Sequence, residues 1–439
     1  MKYLKLFGIT LICSILPGIS HANAAILSST SVDSGSISQI ADSRFDELTR
    51  GINLSHWFSQ ASNFDANYIT EQDIASIKSL GFEHVRLPID AAFLFDENNP
   101  GVLNTQNLQY LDDALNKIEA HDLSVIIDLS PGDNFKERLA NDDAFVTSAA
   151  QFWKALAAHL STRDPEQVFL ETLNEPAFGY FLQNTSIDPV QRWNEVQGKL
   201  LTAMREGAPN NTLIAKGYDW DGIDGLKALT PVEDPNVVYN FHFYEPMVFT
   251  HQGADWMDEE FSYLHDLPYP YNQESCAAVI STITNESAKE WAQSYCDRQW
   301  DAAKLENRIA QAAAWATQNN VRLTANEFGV YRPFVGEDDR VAWIGDVRSL
   351  LEKYDIGWTM WSYSDGFGLV KENEEGERIP NQRVVEALGL SDDEHRKIPE
   401  PSAIAGFVLV TLMLILLKRS APSYKQTIGP ACSSIPSNR

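Results

Sequence analysis

Two glutamates stand at equivalent places in two apolar runs. One run reads Val168-Phe169-Leu170-Glu171-Thr172-Leu173-Asn174-Glu175-Pro176, the other Val321-Arg322-Leu323-Thr324-Ala325-Asn326-Glu327-Phe328-Gly329. Each closes on Asn-Glu. A lone glutamate at a strand end is ordinarily a solvated or salt-bridged rim residue. Two of them, each behind an asparagine, suit chemistry that needs a pair of carboxyls on one bond. Hydrolysis of a glycosidic bond with retention is such chemistry. Its carboxyls stand about 5–5.5 Å apart; one protonates the departing oxygen and the other attacks the anomeric carbon. It requires only carboxylates and water, so no cofactor is expected. The chain has no His-Glu-x-x-His, no phosphate-cradling loop, no dinucleotide fingerprint and no Gly-x-Ser-x-Gly elbow. Few cysteines and no clustered histidines argue against structural zinc, and no metal is expected.

The elements that must position these side chains repeat as strand then helix. Short apolar or β-branched runs cover 51–55, 84–87, 124–129, 168–174, 212–216, 237–243, 322–327 and 357–363. Amphipathic stretches lie near 71–80, 105–120, 145–160, 188–206, 222–229, 301–319, 336–353 and 381–389. Such alternation implies parallel pairing and right-handed crossovers. Eight units predict a closed α/β fold, a (β/α)8 TIM barrel over 44–392. One long interruption, 245–300, is expected to pass over the barrel mouth after the sixth strand. It holds Cys276 and Cys296, expected to pair as a disulfide. In this fold chemistry sits at the C-terminal ends of the strands.

The 439 residues carry 34 Lys plus Arg against 61 Asp plus Glu, a formal charge of −27. That field repels phosphate backbones, so nucleic acid is excluded as a partner, and anionic lipid surfaces are disfavoured. A neutral sugar meets no such barrier. Residues 1–24 read as a secretory signal: Lys2 and Lys5, then an apolar run from Leu6 to Ile19, then Ala22-Asn23-Ala24. Residues 25–43 read as a flexible leader. Near the other end, Pro399-Glu400-Pro401 precedes the apolar run Ala403–Leu417 and the basic pair Lys418-Arg419. This 399–419 segment resembles a PEP-CTERM sorting signal, which implies processing by an exosortase in a Gram-negative bacterium. The polar tail 420–439 departs from that pattern, and the alternative is membrane association through Ala403–Leu417 as a plain anchor. Either reading places the body outside the cytoplasm.

The body resembles glycoside hydrolase family 5, the cellulase family, over most of 44–390. The matching segments are Arg50-Gly51-Ile52-Asn53-Leu54, Val85-Arg86-Leu87-Pro88, Leu173-Asn174-Glu175-Pro176, Asn240-Phe241-His242-Phe243-Tyr244, Asn326-Glu327-Phe328-Gly329 and Trp358-Thr359-Met360-Trp361. Each is weak alone; their order and spacing together are specific. The resemblance implies that Glu175 is the general acid/base and Glu327 the nucleophile. Arg86 would hold Glu327 ionised, Asn174 would bind the sugar 2-hydroxyl, and Tyr244 would orient Glu327. His242 would line the floor and Trp361 would stack beneath the sugar. Ser130 stands where the family commonly carries a histidine, which weakens a sugar contact there. His56 and Trp57 are expected contacts on the non-reducing side, and Trp220 and Trp256 further platforms.

The expected activity is cleavage of a β-linked glucan from within the chain. The alternatives are the same machinery on mannan or at a glucoside end, or a non-catalytic exopolysaccharide-binding protein at the cell surface. The last has no need of paired carboxylates.

Overall fold

The computed structural model describes residues 39–60 and 63–391. The expected secretory signal, the sorting segment and the polar tail lie outside them. Among the described residues no helix is long and apolar enough to cross a membrane.

Eight strands close a parallel barrel in sequence order: β1 (Arg50–Asn53), β2 (His84–Ile89), β3 (Ser124–Leu129), β4 (Val168–Glu171), β5 (Leu213–Lys216), β6 (Val237–Phe243), β7 (Leu323–Phe328) and β8 (Gly357–Met360). β8 returns to β1 with Arg50 opposite Trp358, which completes the cylinder. The strands are near-continuous apolar runs because both of their faces are covered. Val125, Ile127, Leu170 and Phe241 face the surrounding helices in the main core.

The helices begin where side chains can take the free N–H groups of a first turn. Asn104, Asp142, Asp188 and Asp301 do so for the helices Thr105–Glu119, Asp143–Leu160, Pro189–Gly207 and Ala302–Asn319. Apolar residues at helical spacing then pack on the sheet, as Phe145, Ala149, Phe152, Trp153 and Leu156 do.

The ordered body begins earlier than the sequence suggests. Gln39–Ser43, expected within the flexible leader, is helical, and a 3₁₀ turn follows at Phe45–Leu48. Ala41, Phe45 and Leu48 form a buried cluster with Ile126, Phe169, Ile214 and Val238 from four barrel strands. Polar spacing hid this plug, because only three residues of the segment need to be apolar. Arg322 reaches back to Asp42 and holds the plug at 2.7 Å.

The excursion between β6 and β7 contains the helices Met247–Thr250, Gln273–Thr282 and Glu286–Asp297. Cys276 and Cys296 join the last two. The bond closes a loop with a sequence separation of 20, worth about 3 kcal/mol if it acts by restricting the unfolded chain. Replacing both cysteines by serine is therefore expected to lower unfolding stability by about that amount in urea denaturation. A change below about 0.5 kcal/mol would show that the helical packing already orders the excursion.

Candidate active site

The barrel interior is built in layers, read by the two-residue period of the strands. Ile126, Phe169, Ile214 and Val238 form the apolar lower layer. Two residues further along the same strands come Asp128, Glu171, Lys216 and Asn240, all fully buried. A charged layer thus rests on an apolar plug, directly below the mouth.

Arg86, from β2, is the centre of that layer and has no exposed surface. Its guanidinium donates to Asn53 Oδ1 at 3.0 Å, Glu171 Oε1 at 2.8 Å and Asn174 Oδ1 at 2.8 Å. It also donates to Glu327 Oε1 at 2.7 Å and pairs with Asp128 at 3.0 Å. Lys216 pairs with Glu171 and lies 2.8 Å from Asp221. Buried ions survive only when paired and hydrogen-bonded, and here each cation meets several carboxylates. Although burial pushes it up, Arg86 and Lys216 hold Glu171 down at a pKa of about 2. Asp128 is lifted to about 7, chiefly by burial against the pull of Arg86.

Glu327 lies within β7, and a bulge turns it into the mouth. The ladder steps from Phe241 opposite Ala325 to His242 opposite Glu327, so Asn326 is the extra residue. Asn326 and Glu327, neighbours that a regular strand would send to opposite faces, consequently both address the charged layer. Asn326 Nδ2 donates to Glu171 at 2.7 Å, while Glu327 takes Arg86 on one oxygen and Tyr244 on the other, at 2.8 Å.

Glu175 lies beyond β4 with a φ of 45°, a left-handed conformation that costs a non-glycine residue about 1–3 kcal/mol. Asp221 Oδ2 accepts its backbone N–H at 3.0 Å and fixes the turn. About a quarter of its side-chain surface, 24%, stays open, which leaves a path for a reacting oxygen. One oxygen from each of Glu175 and Glu327 and a ring nitrogen of His242 all lie within 4.8 Å of one another.

His242 sits between the two carboxylates. Its Nδ1 is 3.0 Å from Glu175 Oε1 and 3.5 Å from Glu327 Oε2. Its Nε2 is 3.4 Å from Lys216 Nζ. An ammonium only donates, so Nε2 accepts and Nδ1 carries the proton aimed at the carboxylates. Burial and the nearby cations push the imidazole well below its usual pKa, so it is neutral. Two carboxylates and an imidazole at this spacing have the shape of a metal site. The ring has no free lone pair, however, and Arg86 occupies Glu327, so these residues do not fit a divalent cation.

Burial lifts Glu175 to a pKa of about 8, and the charge of Glu327 adds to the lift. Removal from water is the larger of the two causes. Burial raises Glu327 as well, but Arg86, Lys216 and Tyr244 stabilise its anion. Glu175 takes a single side-chain hydrogen bond, from the His242 N–H, and Lys136 and Lys216 pull on it only as charges that burial outweighs. A proton shared by the pair therefore rests on Glu175.

The structure gathers Arg86, Asn174, Glu175, His242, Tyr244 and Glu327 around one point. Trp361 is largely buried, its backbone N–H donating to the Phe328 carbonyl of β7 at 2.9 Å. His56 is half-exposed with Nδ1 3.4 Å from Asp365. Trp57 is corrected: it is 1% exposed, packs on Phe58 at 5.0 Å and donates its indole N–H to Ala66. It is core, because the chain after β1 turns that ring inward. Ser130 is half-buried at the end of β3. Sequence reasoning missed Asp128, Glu171, Lys216 and Asp221. The first three carried a signal, as polar residues two places after an apolar one in β3, β4 and β5; Asp221, in the loop beyond β5, carried none.

The family model described as Cellulase (glycosyl hydrolase family 5) matches residues 42–366. Endoglucanase C of Acetivibrio thermocellus is 30% identical over 324 residues, covering 71% of this chain and 90% of that protein. Endoglucanase 3 of Fibrobacter succinogenes is 27% identical over 339 residues, covering 74% of this chain and 50% of the relative's length. Among solved structures, a hyperthermophilic endo-beta-1,4-glucanase in complex with substrate has a TM-score of 0.63 at 25% identity. That match covers 80% of this chain and 99% of the other.

Lys216→Met tests the charged layer. It leaves Glu171 and Asp221 short of a buried cation, and a loss of about 3–5 kcal/mol in urea unfolding is expected. Nitrogen NMR should also show His242 losing its Nδ1–H preference. An unchanged ring tautomer would refute the role of Lys216.

Proposed function

Because the chain belongs to glycosyl hydrolase family 5, we propose that it is a retaining, endo-acting β-1,4-glucanase with Glu175 as acid/base and Glu327 as nucleophile. The observation that carries this reading is the oxygens of Glu175 and Glu327 lying within 4.8 Å of each other. Retaining enzymes hold their carboxyls about 5–5.5 Å apart, whereas inverting ones leave about 6.5–9.5 Å for a water. A binding protein has no need of two carboxylates flanking one bond.

In the first step a Glu327 oxygen bonds to the anomeric carbon. The glycosidic bond breaks, and its oxygen leaves with the proton of Glu175. Arg86 keeps Glu327 anionic until attack, and Tyr244 fixes which oxygen lone pair is presented. Esterification removes the charge of Glu327, so the pKa of Glu175 falls. The now ionised Glu175 takes a proton from water, whose oxygen bonds to the anomeric carbon and releases Glu327. Two inversions return the β anomer. Asn174 Oδ1 accepts from Arg86, which turns its amide N–H groups towards the 2-hydroxyl. That contact strengthens in the transition state.

The relatives named endoglucanase and the similar solved structure named endo-beta-1,4-glucanase support a β-1,4-glucan as substrate. Trp220 and Trp256, 47% and 54% exposed, offer faces for sugar rings on both sides of the carboxylates, as internal cleavage requires. Export is part of the proposal, supported by the signal-like start and by a disulfide that suits an oxidising compartment. Exosortase handling of 399–419 rests on the sequence resemblance alone.

Proton NMR of cellotetraose hydrolysis should show the β anomer first; an α first product would overturn the mechanism. Acid catalysis needs Glu175 protonated, so kcat/KM should fall about tenfold per pH unit above a midpoint near 8. Glu175→Gln should cost about 10²–10⁴-fold in kcat and remove that limb. Activity surviving in Glu327→Ala would refute the nucleophile.

A further inference from the structure

Lys136, in the helix Asp133–Asn141 after β3, is only 6% exposed. Among the described residues its ammonium has no carboxylate, carbonyl or hydroxyl partner. The Trp220 ring faces it, 5.8 Å from nitrogen to centroid. Its N–H donors are therefore left for water or a ligand, and the Trp220 ring attracts the cation only weakly. The charge is not remote from the reaction: it pulls down the pKa of both Glu175 and His242.

The place of this cation along the cleft follows from its neighbours. Trp220 adjoins Asp221, whose carboxylate holds the Glu175 backbone. Phe178 N–H bonds Tyr218 at 3.0 Å, which ties the turn after Glu175 to the same loop. Trp256, Tyr331 and Phe367 pack instead on the Glu327 side, Phe367 against Tyr244 at 6.1 Å. The acid serves the oxygen that departs, so the wall beside Glu175 faces the departing sugar. Ser130, at the head of the same βα loop as Lys136, is too short to reach far into that space.

Resting on the hydrolase reading above, we propose that Lys136 and Trp220 form the first leaving-group subsite. Trp220 carries the face of the departing β-linked pyranose, and the Lys136 ammonium donates hydrogen bonds to its hydroxyl oxygens. The pair makes the enzyme prefer a sugar over a non-sugar leaving group. Lys136 is thus a specificity residue, separate from the two carboxylates that perform the reaction.

The test compares kcat/KM on cellotetraose and on an aryl β-cellobioside, whose aglycone has no sugar hydroxyls, at a pH below the alkaline limb. Lys136→Met is expected to lower the tetraose-to-aryl ratio by about 10–100-fold, the scale of hydrogen bonds from a charged donor. Trp220→Ala should lower the same ratio, and urea unfolding of each variant reports whether folding is intact. A ratio unchanged in a folded Lys136→Met protein overturns the subsite while leaving the hydrolase standing. Wild-type protein that cleaves neither substrate overturns the hydrolase reading and the subsite with it.

Discussion

The Arg86 guanidinium, closed off from water between Glu171 beneath and Glu327 above, is the constraint on which the rest of the site depends. Each buried ion costs several kcal/mol of lost hydration, so this cluster persists only because every donor of the guanidinium finds an oxygen. The planar fork matters. It spans carboxylates on separate strands and sets the side-chain amides of Asn53 and Asn174 at the same time. A lysine would supply the charge without that geometry. Function and stability are consequently built from the same bonds.

From this arrangement the division of labour between the two glutamates follows. They share a pocket but not its donors. Glu327 receives a guanidinium and a phenol; Glu175 receives one imidazole N–H and a left-handed backbone pinned by Asp221. Lys216 acts on both glutamates as a charge, on His242 by orienting its ring, and on Asp221, which pins the Glu175 backbone. Asymmetry in hydrogen bonding, rather than distance alone, decides which carboxyl keeps the proton.

Much of this was legible in the sequence. Continuous apolar runs separated by amphipathic stretches give the eightfold alternation, because a strand covered on both faces has no polar side to show. Glu175 and Glu327 were visible as twin Asn-Glu endings. Less visible were Asp128, Glu171 and Lys216, since a charge inside a hydrophobic run resembles a defect until its strands are set side by side. Trp57 misled for the opposite reason: an aromatic at a barrel mouth looks like a platform, and only packing shows that its ring faces the core. Gln39–Ser43 was hidden because a plug needs few apolar residues when the barrel floor supplies the others. Asn326 could be placed inside the barrel only once the bulge was seen.

In the resting pair the proton sits on Glu175 while Arg86 keeps Glu327 charged. Carbon-13 NMR of labelled glutamate carboxyls, titrated in the unliganded protein and assigned with Glu175→Gln and Glu327→Gln, tests it most directly. The Glu175 midpoint is expected near 8 and should drop when Glu327 is made neutral. A Glu175 midpoint at the ordinary 4.5, or a proton resident on Glu327, would contradict it.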